Sequence, residues 1–198
     1  MLRVAGLGLL QARMSSHRRR DCHTGDGSGV AITTQHAGTG SSTTVSAAAP
    51  SDPKQFAIPP NNPNWEAPPA VVTFDHDAEL VGLMPHMHVR GKAARFDLEY
   101  PDGKKQTILN VPRYDFNWQL WYDTSIKVPK GTTMKVFAWY DNSAGNKFNP
   151  NPNATVYYGD QTWEEMHFPS YGLVLDDISI DPTKVVRNPL APPRAGGN

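Results

Sequence analysis

Apolar and polar positions along this chain repeat with period two far more often than with helical spacing, which predicts strands. Residues 70–74 and 79–89 are rich in apolar and β-branched side chains and read as strands. Residues 95–100 alternate polar and apolar, Pro101-Asp102-Gly103-Lys104 supplies a turn, and 106–111 returns apolar, the signature of a β-hairpin. Residues 116–122 alternate again, Pro129-Lys130-Gly131 makes a turn, and 134–140 gives another strand. The polar run containing Asn149-Pro150-Asn151-Pro152-Asn153 is a surface loop by composition. Residues 156–158 and 162–168 read as strands, the second with an irregular lead, and 172–175 form a short apolar close. Short strands between turn signals predict an all-β fold, an antiparallel β-sandwich of jelly-roll-like form.

The pattern fades at both ends. Residues 21–53 are rich in Gly, Ser, Thr and Ala and contain no aromatic residue, too little apolar surface to offset the entropy of ordering them. Residues 1–54 are therefore predicted to be a disordered N-terminal tail, 55–180 the folded domain, and 181–198 a second disordered tail. The first 20 residues carry Arg3, Arg13, Arg18, Arg19 and Arg20 with no acidic residue, in the manner of a presequence. Their apolar core, residues 4–10, is minimal, precedes the basic run and has no clear small-residue cleavage site after it. An unstructured N-terminus is the reading that composition favours.

Bulk charge narrows the partners. Nineteen basic residues balance 19 acidic ones, so nothing electrostatic points to nucleic acid or to an anionic membrane. No segment approaches the roughly 20 apolar residues that span a bilayer. The single cysteine, Cys22, can form neither an intrachain disulfide nor a multi-cysteine metal site. With 18 prolines and 16 glycines the domain is predicted to be loop-rich, and chemistry has to be sought in local constellations.

The most specific of these is Met84-Pro85-His86-Met87-His88-Val89. On an extended strand, positions two apart face the same way, so His86 and His88 offer two imidazoles to one metal ion while Met87 turns to the other side. By itself His-X-His fits ordinary hydrogen-bonded or exposed histidines equally well, and a third ligand is what would raise it. The sulfur candidates are Met84, Met87, Met134 and Met166. Met84 shares the histidine face, but a ligand so close on the same strand strains a tetrahedral site. Met166 has the better context, in Gly159-Asp160-Gln161-Thr162-Trp163-Glu164-Glu165-Met166, although composition alone makes it a core methionine.

Other polar residues have blander readings. Glu164 and Glu165 are adjacent carboxylates, which are usually solvated. Asp160, Asn142 and Asn117 could hydrogen-bond histidine N–H groups, with backbone capping as the competing role. His167 points away from its neighbour Met166 and reads as structural or exposed, and His76 is a loop residue. Trp118, Trp121, Trp139 and Trp163 are predicted to build the core of the sandwich and its rim. A sugar-binding platform would require several of them on one exposed face.

Several blocks in order resemble a known family. They are His86-Met87-His88-Val89-Arg90-Gly91-Lys92, Tyr100-Pro101-Asp102-Gly103, Val111-Pro112-Arg113-Tyr114-Asp115-Phe116-Asn117-Trp118-Gln119, Asp141-Asn142-Ser143 and the run from Gly159 to Met166. Over roughly residues 56–170 the chain is similar to the C-terminal domain of copper type II, ascorbate-dependent monooxygenases, in particular to bacterial relatives of peptidylglycine hydroxylating monooxygenase and dopamine β-monooxygenase. The resemblance implies one copper ion on His86, His88 and Met166, with dioxygen as co-substrate and ascorbate as the source of electrons. A thioether beside imidazoles agrees with that implication, because soft sulfur favours Cu(I) over zinc. The family also implies an extracytoplasmic setting, periplasmic or secreted. The alternative is a non-catalytic copper-binding or structural sandwich.

Two departures qualify the implied function. Family members draw electrons through a second copper on three histidines of a preceding domain, and residues 1–54 are too short and too polar to form one. The implied partner is a separate three-histidine copper domain. In peptide-hydroxylating members an arginine before the first histidine, and an asparagine and a tyrosine after the methionine, grip a substrate carboxylate. Here those positions hold Met84, Phe168 and Ser170, which implies a more apolar pocket.

Overall fold

The period-two pattern is clearest in Thr133–Tyr140, where Met134, Val136, Ala138 and Tyr140 are buried and the residues between them are not. A strand does this when one face packs on a core and the other faces outward. The computed structural model of the chain describes residues 43–48, 53–175, 180 and 185–187. Among these the strands are β1 Thr43–Ala48, β2 Ala57–Ile58, β3 Trp65–Glu66, β4 Ala70–Phe74, β5 Ala78–Met84 and β6 Gly91–Glu99. They continue with β7 Lys105–Val111, β8 Tyr122–Val128, β9 Thr133–Tyr140, β10 Val156–Tyr157, β11 Ser170–Leu175 and β12 Val186–Arg187.

One sheet runs β1-β11-β5-β8 and the other β12-β4-β9-β6-β7, with β3 also paired to β9 and a small β10-β2 ribbon apart. Every pairing between these strands is antiparallel. Leu80, Leu83, Tyr171, Leu173 and Leu175 of the first sheet share one core with Val72, Phe74, Phe96, Leu98, Met134 and Val136 of the second. Two antiparallel sheets closing on a common apolar layer make the predicted all-β sandwich. The expected hairpin is β6–β7, and the two predicted turns contain Gly103 and Gly131 at φ +83° and +88°, where a side chain would be strained.

A second apolar cluster closes one end. Phe56, Ile58, Met87, Ala138, Tyr140 and Val156 form it, and the Phe56 ring stands edge-on to Trp65, Tyr140 and Tyr158 at 5.0, 5.3 and 5.7 Å. Met87 is the residue between the two histidines, so this cluster is the platform under the site.

Four expectations are corrected. The strand read at 79–89 ends at Met84, because Pro85 has no N–H to give the ladder. Residues 116–122 are not a strand: Asp115 accepts the backbone N–H of Asn117 on its side chain and that of Trp118 on its carbonyl, which closes a turn, and the strand begins only at Tyr122. Residues 162–168 are turns and irregular extended chain. The predicted tails are also shorter than composition implied. Residues 43–48 form β1 on β11, and 186–187 form β12 on β4, with Val185 and Val186 buried. Backbone pairing at a sheet edge needs no apolar pattern, which is why composition missed it. Apart from residues 53, 54 and 185, the rest of both tails, including Cys22, His17, His23 and His36, lies outside the described residues.

Candidate metal centre

After Pro85 the chain leaves the ladder but stays extended, and its register with the segment before β11 persists. Met84 pairs with Ser170, and two residues on, the Phe168 N–H donates to the His86 carbonyl at 3.0 Å. Further along, the backbone N–H groups of His88 and Met166 converge on one acceptor, Glu165 Oε2. Met84, His86, Phe168 and Ser170 line one cavity, while Met87, His88 and His167 are buried. The two imidazoles stand edge-to-face with ring centroids 5.3 Å apart.

A single buried carboxylate fixes this arrangement. Glu165 Oε2 accepts the backbone N–H of His88 at 2.9 Å and of Met166 at 3.2 Å, and Oε1 accepts that of Arg90 at 2.6 Å. The expectation that Glu165 is solvated is thus overturned, since it is fully buried. Burial pushes its carboxyl up to about 7, against the pull of the three N–H donors and of the Arg90 charge. Arg90 in turn donates to Asn142 Oδ1 and the Trp163 carbonyl, and Asn142 donates to the carbonyls of Pro59 and Ala154. Asn142 thereby ties Arg90 to the surrounding loops and makes no bond to a histidine.

The other side of the histidine segment is held by Tyr114. Its hydroxyl donates to the Met87 carbonyl at 2.7 Å and accepts the Met87 N–H at 3.2 Å, completing a backbone that no strand pairs. Burial and the neighbouring Glu165 and Asp115 charges raise this phenol, so it stays a donor. Gly91 makes the approach possible, because a Cβ there would lie 2.7 Å from the Met87 Cβ and 2.8 Å from the Tyr114 ring.

Sequence reasoning missed Gln119. Its Oε1 lies 2.6 Å from His86 Nδ1, and a carboxamide oxygen only accepts, so Nδ1 carries the hydrogen and Nε2 is the nitrogen a metal would use. Asn117 bonds Asp115 in the same loop, as a turn residue. Asp160 is exposed and Glu164 caps its own turn by accepting the Gln161 N–H. Trp118 and Trp163, expected in the core or rim, are 64% and 63% exposed because they sit on the turns flanking the site. Trp121 instead lies across Gly82 of β5 and Gly172 of β11.

The donors fit a soft metal ion. His88 is buried, 5% exposed, and its Nδ1 makes no hydrogen bond, an orphaned nitrogen that coordination would satisfy. Burial first, and then the neighbouring His86, lower its pKa, which favours the neutral imidazole that a metal requires. Among the described residues no three His, Cys, Asp or Glu side chains converge. Met166, the thioether that the resemblance implies, is half-buried, and its backbone N–H shares an acceptor with that of His88. His76 sits in the turn between β4 and β5, at the far end of β5 from the pair.

An open cavity of about 580 Å3 lies against the same face, lined by Met84, His86, Phe116, Asn117, Gln119, Phe168 and Ser170. No family model matches the chain, and no curated protein matches it.

Proposed function

We propose that this chain is the oxygen-activating domain of a copper-dependent monooxygenase, which hydroxylates an unactivated C–H bond with dioxygen and electrons derived from ascorbate. The observation that supports the reading is the His86–His88 ring pair, 5.3 Å apart, with an orphaned buried nitrogen on His88, the Met166 backbone held by the same Glu165 oxygen as that of His88, and a cavity against His86. Copper held by two imidazoles and a thioether supplies one-electron chemistry toward dioxygen.

The chain's own residues do the rest. Gln119 holds the Nδ1 hydrogen of His86 and sets the direction of Nε2. Glu165 holds the backbones of His88 and Met166 on one carboxylate oxygen, which in this reading limits how far their side chains must move to meet a metal. Phe116 and Phe168 stand edge-on to His88 and His86, with ring centroids at 6.1 and 6.5 Å, and exclude water from one side of each imidazole. Electrons come in this reading from a separate three-histidine copper domain.

Copper titration of the wild type, His86→Ala and Met166→Ala tests the site. The histidine variant is expected to lose affinity on the order of 100-fold or more, beyond what the loss of a supporting partner costs. Unchanged affinity in that variant sinks the assignment. Copper binding without ascorbate-dependent oxygen uptake, when a three-histidine domain is supplied, selects the non-catalytic module instead.

A further inference from the structure

The cavity beside His86 has a composition that restricts its occupant. None of its seven lining residues is Lys, Arg, Asp or Glu. Its walls include Phe116 and Phe168, half-buried rings each placed edge-on to one imidazole, with the thioether of Met84 adding a polarisable surface. Its uncommitted polar groups are few. Gln119 is engaged with His86 and the Asn117 NH2 group with Asp115, which leaves the Asn117 amide oxygen and the Ser170 hydroxyl to meet a polar group on a ligand. At about 580 Å3 the cavity suits a molecule of one or two rings.

We infer that this cavity binds an uncharged aromatic molecule carrying a single hydroxyl or amide, and that it discriminates against both anionic and cationic relatives. The inference rests on the proposed monooxygenase reading only in calling this molecule the substrate; the binding preference belongs to the cavity. A charged group entering it gives up hydration and meets no opposite charge, whereas a hydroxyl finds one amide oxygen and one hydroxyl. Phe116 and Phe168 both line the cavity, and a flat ring packs on such rings with little loss of side-chain freedom.

The test uses the full chain in chelator, so that no metal contributes, and three ligands of one shape: 2-naphthalenemethanol, 2-naphthoate and 2-naphthylmethylammonium at neutral pH. Dissociation constants come from chemical-shift titration. The neutral alcohol is expected to bind about tenfold or more tighter than either charged relative, as the cost of burying an unpaired charge implies. Phe168→Arg and Ser170→Arg, each checked for folding by circular dichroism, are expected to reverse the order in favour of naphthoate. The inference is overturned if no member binds, if a charged member binds as tightly as the alcohol, or if both folded variants keep the wild-type order. Copper titration of the same protein after the chelator is removed separates the two readings. Copper binding without neutral preference removes the cavity inference alone, and neutral preference without copper binding removes the metal reading alone.

Discussion

One oxygen of the Glu165 carboxylate holds the backbone N–H of His88, 77 residues away, at 2.9 Å and at the same time that of Met166. A carboxylate is the side chain suited to this place, because every donor converging on it is an N–H. Glu165→Gln turns an NH2 group toward either the His88 and Met166 amides or the Arg90 amide, so at least one donor faces a donor. The expected loss is about 2–4 kcal/mol in urea unfolding, the range for an uncompensated buried polar group beside a charge. A variant within about 1 kcal/mol of wild type shows that the register does not depend on this carboxylate.

Gln119 acts on His86 rather than on the fold. Its partner ring is only half-buried, and its loop is anchored independently through Asp115 and Trp121. Gln119→Ala is expected to weaken copper binding about 10- to 100-fold while changing stability by less than about 1 kcal/mol. Equal copper affinity in the variant and the wild type refutes the orienting role.

Trp121 connects that loop to the sheet, lying over Gly82 so closely that an added Cβ would sit 2.1 Å from the indole ring. The ring has to move if Gly82 becomes alanine, and with it the end of the loop carrying Gln119. Gly82→Ala is expected to cost about 1–3 kcal/mol through overpacking and to lower copper affinity in the same direction as Gln119→Ala. The readout is tryptophan fluorescence together with copper titration. An unshifted emission with normal copper binding contradicts the linkage.

The sandwich was legible because period two is written directly into β6 and β9, where Phe96 and Leu98 or Met134 and Val136 alternate with outward residues. The face shared by His86 and His88 followed from the same parity, even though Pro85 had already ended the strand. Glu165 and Gln119 were not legible, since they meet their partners 77 and 33 residues away and nothing in their neighbours marks a convergence of donors. The one available signal for Glu165 was Arg90, a cation two residues beyond His88 that is buried and so needs a counter-charge. Trp118 and Trp163 misled because an aromatic residue on a turn has the same letter as one in a core.

His167 gives the protein a pH dependence of known sign. Both of its ring nitrogens are buried without a hydrogen bond, and burial lowers its pKa from 6.5 to about 4 despite the nearby Pro68 backbone. The unfolded chain therefore takes up a proton between pH 6.5 and 4 that the folded chain refuses, and stability contributed by the neutral ring above pH 6.5 is lost as pH falls through that window. Glu165 has the opposite sign. With its carboxyl raised from 4.5 to about 7, its contribution is present below pH 4.5 and is lost as pH rises to 7. Between pH 4.5 and 6.5 the two slopes oppose each other and flatten the wild-type profile. Removing either one exposes the other. In chelator, Glu165→Gln is expected to lose stability steeply on acidification, by up to about 3 kcal/mol across the histidine window. His167→Phe is expected to lose stability as pH rises from 4.5 to 7 instead. Urea midpoints measured at half-unit pH steps decide this, and parallel profiles for the wild type and both variants contradict it.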